Sequence, residues 1–262
     1  MRTSVLLALL LVGCSRPSAA QQTTTCGGPA NMAPVPDGGA GVPVVAYITE
    51  SRGYRHDVLP HSVDVLRELS TGAFELRHFE CATDVVTEQA LRNVDALVFY
   101  TTGELDLTDA QKALLLRYVR DGGAFVGLHS TSDTFYNWPE WGELLGARFR
   151  AHPWHEDVGV VVQGQPHPAT QPLPQPLHLT DEIYEFRDFR QDALSVVLSL
   201  DTTTVDMQAN GVVVEPWGFP LAWTQTYGQG RVFYTALGHG AVWDDANYRR
   251  HVLGGIRWAL GL

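Results

Sequence analysis

The chain has 262 residues and a formal net charge of −11, with 45% hydrophobic and 18% charged residues. This composition is typical of a globular protein and argues against disorder. Nucleic-acid binding needs clustered lysine and arginine, and this acidic chain contains no basic run, so we expect no nucleic-acid partner. A neutral or weakly charged small molecule fits the charge balance better.

Residues 1–13 have the pattern of a secretory signal. Arg2 precedes an apolar run over residues 5–12, which is too short to cross a bilayer because a helix needs about 20 residues to do so. The run ends in Leu-Val-Gly before Cys14, an ending that resembles a bacterial lipobox. We therefore predict a lipidated Cys14, membrane attachment through the lipid alone, and a location in the cell envelope, either outer membrane or periplasm in a Gram-negative source. A plain signal peptide with a chance cysteine is the alternative.

Residues 14–42 are rich in Ser, Thr, Gln, Gly and Pro and show no hydrophobic period. They are typical of a flexible tether, which leaves residues 43–262 for one α/β domain. With Cys14 assigned to lipid, Cys26 and Cys81 remain. An oxidising compartment permits a disulfide between them, but the sequence does not show their geometry, so two free or buried thiols remain possible.

The first half of the domain alternates strands with helices. This order predicts right-handed βαβ units, and hence an α/β fold in three layers, with a mostly parallel sheet covered by helices on both faces. The predicted elements are strands at 42–49, 74–79, 96–100 and 124–128, and helices at 57–69 and from Thr108, where Gln111 completes a capping box, to Gly122.

The second half is less regular. Its predicted elements are a helix at 141–145, strands at 158–162 and 195–200 around a proline-rich turn region at 166–176, a hairpin at 221–226 and 231–237 that returns to the sheet, and a helix at 248–260.

Ligands of an open parallel sheet bind beyond the carboxyl ends of its strands. The first strand is followed by His56, the fourth by His129 and the last by His239. One histidine after a strand is usually solvated or structural. Three at one edge indicate a functional site, provided that the topology brings their strands together.

At these residues the chain resembles the ThuA-like (trehalose utilisation) family. The matching segments run in order over roughly residues 43–261: Gly-Tyr-Arg-His-Asp at 53–57, Gly-Gly-Ala-Phe-Val-Gly-Leu-His at 122–129, 147–153, His-Pro-Ala-Thr at 167–170, Asp-Glu-Ile-Tyr-Glu-Phe at 181–186, and 230–239. The resemblance implies the class I glutamine-amidotransferase-like, flavodoxin-like fold. It also implies a link to trehalose and other disaccharides, often through 3-keto-sugar intermediates.

Amidotransferase activity is not expected. It needs a cysteine on the tight turn after the central strand, where a thiolate attacks the amide. The matching turn here is Gly127-Leu128-His129, which carries no thiol. The nearby Ser130 and Ser132 lack the Gly-X-Ser-X-Gly pattern of a serine hydrolase.

The candidate catalytic residues are His56, His129, Glu182 and His239. Three imidazoles and a carboxylate suit a divalent metal such as zinc, with water in an open position. Metal-free acid–base catalysis is equally compatible: one group takes a proton, another donates one, and Arg55 steadies an oxyanion. No HExxH pattern favours metal.

The candidate substrate-binding residues are Arg55, Tyr184, Trp223 and His152, although Pro153 makes a loop at His152 as plausible as a site position. Several aromatic residues, including Tyr54 and Tyr136, fall in predicted loops where rings can stack on sugars, although aromatics serve equally well in a core. A small-molecule carbohydrate is the expected partner. The favoured function is a hydrolase or lyase on disaccharides or keto-sugars; a non-catalytic sugar-binding module or an accessory to an oxidoreductase is the alternative.

Overall fold

The structure is a computed structural model that describes Thr24, Cys26 and residues 41–262. Its strands are β1 (Val44–Ile48), β2 (Glu75–Phe79), β3 (Ala96–Phe99), β4 (Ala124–Leu128), β5 (Arg148–Val162), β6 (Leu177–Arg187), β7 (Ser195–Leu200), β8 (Pro220–Tyr227) and β9 (Gly230–Thr235). Its α-helices are α1 (Leu59–Ser70), α2 (Ala82–Val85), α3 (Glu88–Leu91), α4 (Asp109–Arg120), α5 (Pro139–Leu145) and α6 (Ala246–Leu260).

All described strands join one nine-stranded sheet in the order β2-β1-β3-β4-β9-β8-β7-β5-β6. The strands from β2 to β9 in this order are parallel, and each later neighbour pairs antiparallel. Successive residues of a strand point to opposite faces, so Val45 of β1 joins one core and Val44 the other. Helices α1 and α6 cover the first face, while α4 and α5 cover the second. The predicted three-layer α/β fold is confirmed, with an antiparallel half added to the parallel one.

The antiparallel half of the sheet is the part that the sequence predicts least well. Strand β5 has 15 residues, and β6 follows the proline-rich turn region without having been predicted. Two thirds of the β5 residues are not buried, because the strand lies near the sheet edge, so a continuous apolar run is missing. The loop alternative around Pro153 is wrong, because Pro153 lies within β5 at a register irregularity between Ala151 and Trp154, where a proline is tolerated.

A disulfide joins the N-terminal segment to the domain. Cys26 and Cys81 are bonded, with their Cα atoms 5.8 Å apart across 55 positions of sequence. In the chain-entropy model, closing a loop of this length stabilises the fold by about 4 kcal/mol. Thr24 adds backbone contact: its N–H donates to the Ser51 carbonyl oxygen at 2.8 Å, and its hydroxyl accepts from Ser51 N–H at 3.0 Å.

The predicted signal and lipidated Cys14 lie outside the described residues. Within the part of the chain that the structure describes, no helix has both the length and the apolar character needed to cross a bilayer.

The buried His251 on α6 gives the fold a pH-dependent stability. Its Nδ1–H donates to the Ala169 carbonyl oxygen at 2.9 Å, and its Nε2 lies 3.1 Å from the Thr235 hydroxyl. Burial lowers its pKa from 6.5 to about 4, which the bond to Ala169 only partly offsets. The unfolded chain therefore binds a proton between these values that the folded chain does not.

We expect His251 to contribute stability that is present above pH 6.5 and is lost as the pH falls toward 4. The loss should be on the order of 3 kcal/mol. Urea unfolding of wild type and of His251→Gln, which cannot titrate, measures the difference at each pH. Two parallel stability profiles from pH 7 down to pH 4 would contradict the assignment.

Candidate active site

Three strand ends and one strand interior meet at a single crevice. His56 lies in the loop after β1, His129 follows β4, His239 follows β9, and Glu182 lies within β6. One potential ligand atom from each of these four side chains lies within 4.8 Å of those of the other three. The residues are thus brought together from four separate parts of the chain, as the sequence predicts for the three histidines.

His129 lies on the tight turn that follows β4. It begins a 3-10 helix over His129–Asp133 and has a φ of 44°, a left-handed conformation that is uncommon for a non-glycine residue and that concentrates at functional sites. Its Nδ1 lies 2.6 Å from the Ala236 carbonyl oxygen, which can only accept, so the proton is on Nδ1. Burial lowers the His129 pKa. The neutral ring therefore presents its Nε2 lone pair to the crevice.

Glu182 lies at the centre of the histidines. Its Oε2 is 3.5 Å from His129 Nε2 and 3.4 Å from His239 Nδ1, and its Oε1 is 3.2 Å from His152 Nδ1. Burial alone would raise the Glu182 pKa, but contacts with His129 and His239 hold it well below its usual range. The same contact raises the His239 pKa against the opposing effect of burial. The site therefore contains a carboxylate beside a histidine that is readily protonated.

His56 is also held in its neutral form. Burial lowers its pKa to about 2, and the neighbouring His129 and His239 contribute in the same direction. Its ring centroid lies 4.8 Å from that of His129 and 5.2 Å from that of His239. Its Nδ1 is buried without a hydrogen-bond partner. An unprotonated nitrogen is thereby available for a proton or a cation.

Asp181 positions the site, and the sequence analysis did not select it. Its buried carboxylate accepts backbone N–H groups from Gly238 at 2.7 Å, from His239 at 2.9 Å and from Glu182 at 2.9 Å. Burial raises the Asp181 pKa to about 7, although these three bonds oppose the rise. The one available signal was its place beside Glu182 in the family-like segment at 181–186.

The predicted substrate-binding residues separate into two groups. His152 lies at the rim with about half of its side chain exposed, and the buried Tyr184 places its hydroxyl 3.1 Å from His129 Nε2. Arg55 instead donates to the Thr24 hydroxyl at 3.3 Å. The prediction for Trp223 is wrong: it is fully buried, its Nε1–H donates to the Leu145 carbonyl oxygen, and it belongs to the core.

The chemistry available at this crevice follows from its donors. Neutral imidazoles can accept protons or bind a divalent cation, and the Glu182 carboxylate supports either role. A thiolate is not available, because His129 occupies the elbow and the described cysteines, Cys26 and Cys81, form a disulfide. That bond also removes both sulfurs as metal ligands at their contact with Glu50.

Gly238 allows the end of β9 to approach His129, and its replacement should disturb the site. It has a φ of 143°, and an added Cβ would lie 2.8 Å from the Tyr248 hydroxyl and 3.0 Å from His129 Cβ. We expect Gly238→Ala to lower the free energy of unfolding by about 1–3 kcal/mol. Gly240→Ala is the matched control, since Gly240 also has a positive φ, 57°, but meets nothing within 4 Å. Equal losses in urea unfolding would show that the close approach to His129 is not limiting.

Comparison with known proteins identifies the family. The model of the trehalose utilisation family, ThuA, matches residues 44–259. A ThuA-like protein from Bacteroides uniformis has a TM-score of 0.69 and 23% identity, covering 86% of this chain and 94% of that one. A ThuA-like protein from Parabacteroides merdae has a TM-score of 0.68 and 19% identity, covering 84% and 90%.

A β-galactosidase from Bacillus circulans has a TM-score of 0.55 and 12% identity, and the likeness covers 83% of this chain but 31% of that enzyme. No curated protein sequence matches the chain significantly. The structural likenesses show a shared fold. With the family match over residues 44–259, they show that the chain belongs to the ThuA (trehalose utilisation) family of the glutamine amidotransferase-like superfamily.

Proposed function

We propose that this protein is an enzyme of carbohydrate utilisation, a hydrolase or lyase that acts on disaccharides or keto-sugars. It has no glutamine amidotransferase activity and is anchored in the cell envelope through a lipid on Cys14. The observation that carries the enzymatic proposal is the convergence of His56, His129, Glu182 and His239 in one crevice. Membership of a family described by trehalose utilisation supports the substrate class.

A 3-keto-glycoside suits the groups at this crevice. Its carbonyl acidifies the neighbouring C–H at C2, so that a base can remove the proton and leave an enolate. The enolate electrons then form a double bond between C1 and C2 as the C1–O bond breaks, and the departing aglycone takes up a proton. Addition of water to the double bond completes hydrolysis, whereas a lyase stops before it. The reaction requires a base at C2 and positive charge beside the enolate oxygen.

His152 has the geometry of the base. Its Nδ1 lies 3.2 Å from Glu182 Oε1, so the carboxylate favours the tautomer that has the proton on Nδ1 and the lone pair on Nε2. A carboxylate that fixes the tautomer of a histidine is the arrangement by which catalytic triads orient their base. About half of the His152 side chain is exposed, which leaves it accessible to a sugar. His239, whose pKa is raised by Glu182, would then supply the positive charge beside the enolate oxygen.

Aromatic side chains at the rim suit a sugar ring. Tyr54 is about half exposed, and its ring centroid lies 4.9 Å from that of His56. Tyr136 is also about half exposed and follows the 3-10 helix that begins at His129. A flat apolar ring face beside a polar centre is suited to stacking on the C–H face of a pyranose. Tyr54 therefore takes the place in sugar binding that was predicted for the buried Trp223.

Loss of the His129 imidazole should abolish turnover. In His129→Asn, asparagine tolerates the positive φ of this position but cannot provide the Nε2 lone pair. We expect kcat/KM for a 3-keto-disaccharide to fall at least about 100-fold. His178→Ala is the matched control, because His178 lies on the same strand as Glu182 but is exposed and paired with Asp157.

The assay is product formation across a panel of keto-disaccharides and their parent disaccharides. Equal turnover by wild type and His129→Asn would contradict the catalytic role. Sugar binding in calorimetry without any product would favour a non-catalytic binding module instead.

The lipid anchor has a separate test. Wild-type protein should fractionate with membranes and enter the detergent phase, whereas Cys14→Ser should be released in soluble form, because its acyl chains supply the membrane affinity. Mass spectrometry of the mature N-terminus checks for diacylglycerol on Cys14. A mature N-terminus that begins after Cys14, with both proteins fractionating alike, would establish a plain signal peptide.

A further inference from the structure

The geometry points to a divalent transition-metal site, of the zinc type, formed by His56, His129, His239 and Glu182. It concerns the same crevice as the proposed function and deepens it. The proposed metal site rests on the proposed function only for the role of the ion in catalysis. Binding of the ion itself requires no sugar chemistry, so the two can be tested apart.

The donor set and its spacing fit such an ion. Imidazole nitrogen and carboxylate oxygen are both zinc ligands, and four of them complete a structural site or, with an added oxygen, a five-coordinate catalytic site. Glu182 Oε2 lies 3.5 Å from His129 Nε2 and 3.4 Å from His239 Nδ1. Zn–N bonds of about 2.0–2.1 Å give a tetrahedral ligand–ligand separation of about 3.3 Å. Two of the ligand–ligand distances are therefore already close to those of a zinc site.

The cluster contains a buried nitrogen without a partner and a lone pair that faces a carboxylate. His129 has committed its proton to the Ala236 carbonyl oxygen, so the Nε2 lone pair is turned toward the carboxylate of Glu182. His56 is only 4% exposed, and its buried Nδ1 has no hydrogen-bond partner, whereas His239 Nδ1 is paired with Glu182 Oε2 at 3.4 Å. A buried polar atom without a partner is costly, and a cation held by this cluster would give the His56 ring a partner.

The surrounding contacts are those that orient metal ligands. A metal-bound histidine usually donates its other ring N–H to a carbonyl or carboxylate, as His129 Nδ1–H does to Ala236. A ligating carboxylate usually has a further polar partner, as Glu182 Oε1 has in His152 Nδ1 at 3.2 Å, which leaves Oε2 to face the ion. These two contacts orient His129 and Glu182 and do not themselves involve the ion.

Tyr184 offers the competing partner for His129. Its hydroxyl lies 3.1 Å from Nε2 and can donate to it when no ion is present. A bound ion takes that lone pair and displaces the hydroxyl. Removing the hydroxyl should therefore leave ion binding intact or tighten it, which distinguishes a metal ligand from a hydrogen-bond acceptor.

An ion held here would act on a sugar as a Lewis acid. A keto oxygen and a neighbouring hydroxyl of a keto-sugar are hard oxygen donors that can occupy the open side of such a centre. The positive charge required at the enolate oxygen then comes from the ion, while His152 remains free to act as the base. The substrate class that fits is therefore a sugar with a carbonyl beside a hydroxyl, in preference to an unoxidised glycoside.

The test is binding of Zn²⁺ and Co²⁺ to chelator-treated protein, kept free of reductant so that Cys26 and Cys81 stay bonded and contribute no thiolates. We expect one equivalent of Zn²⁺ per chain by elemental analysis, and visible Co²⁺ bands of a four- or five-coordinate centre. His129→Asn and Glu182→Gln should weaken binding at least 100-fold. Tyr184→Phe and the control His178→Ala should keep one equivalent.

Circular dichroism and thermal melting establish that each variant is folded, and His239→Ala, at the more exposed edge of the site, replaces any that is not. Wild type that binds no divalent ion, or an unchanged Kd in the folded site variants, would overturn the assignment. One bound equivalent without turnover of any sugar would uphold the metal site and contradict the proposed function. Turnover of keto-sugars by protein that binds no ion would uphold the proposed function and contradict the metal site.

Discussion

The site depends on one buried carboxylate. Asp181 accepts backbone N–H groups from Gly238, His239 and its neighbour Glu182, and thereby fastens β6 to the end of β9. In hydrogen-bond order these strands are far apart, since β8, β7 and β5 lie between them. The β5–β6 ribbon must therefore curve back over the sheet edge, and the two register irregularities in β5, around Ala151, are the kind of bulge that increases twist and bends a strand. Without that fastening, Glu182 would have no fixed position opposite the histidines.

The parallel half of the sheet was easier to predict from the sequence than the antiparallel half. Strands β1, β3 and β4 are buried on both faces, so their continuous apolar runs predict them well, and the Thr108–Gln111 capping box marks the start of α4 as the structure has it. Parallel topology then places His56, His129 and His239 at one edge. Strand β6 begins with an alternation of buried and exposed residues, Leu177 to Asp181, that could have predicted it. The role of Asp181 was out of reach, because it depends on how the β5–β6 ribbon curves, a long-range property that no local period encodes. Trp223 failed for the opposite reason: an aromatic ring near a strand end is as often part of the core as of a site.

The tight turn Gly127-Leu128-His129 carries a different chemical group from the thiol that amidotransferase activity needs. Position 129 keeps the left-handed conformation in which this turn presents its side chain, and Gly127 just before it leaves no room for a Cβ, which would lie 2.8 Å from the Tyr234 ring. The side chain at this position is an imidazole in place of a thiol, and its Nδ1 is anchored on Ala236. Because Nδ1 is anchored, only Nε2 of His129 remains free to act. The backbone of the turn and the Ala236 carbonyl group fix the direction in which it points. A nucleophile must move toward its substrate and form a bond, whereas a ligand or an electrostatic group works best when it does not move.

The charge of the crevice connects the proposed cation with the proposed sugar substrate. Glu182 is an anion, and burial keeps His56 and His129 neutral, so the centre carries a net negative charge unless His239 holds a proton or an ion is bound. A net negative centre would repel an enolate, the species that elimination from a keto-sugar has to form. A divalent ion would add two positive charges beside the Glu182 carboxylate, next to the rim that carries Tyr54 and His152. The arrangement thus favours a substrate that is neutral when it binds and negative only at the moment of reaction, which is the difference in charge that transition-state stabilisation requires.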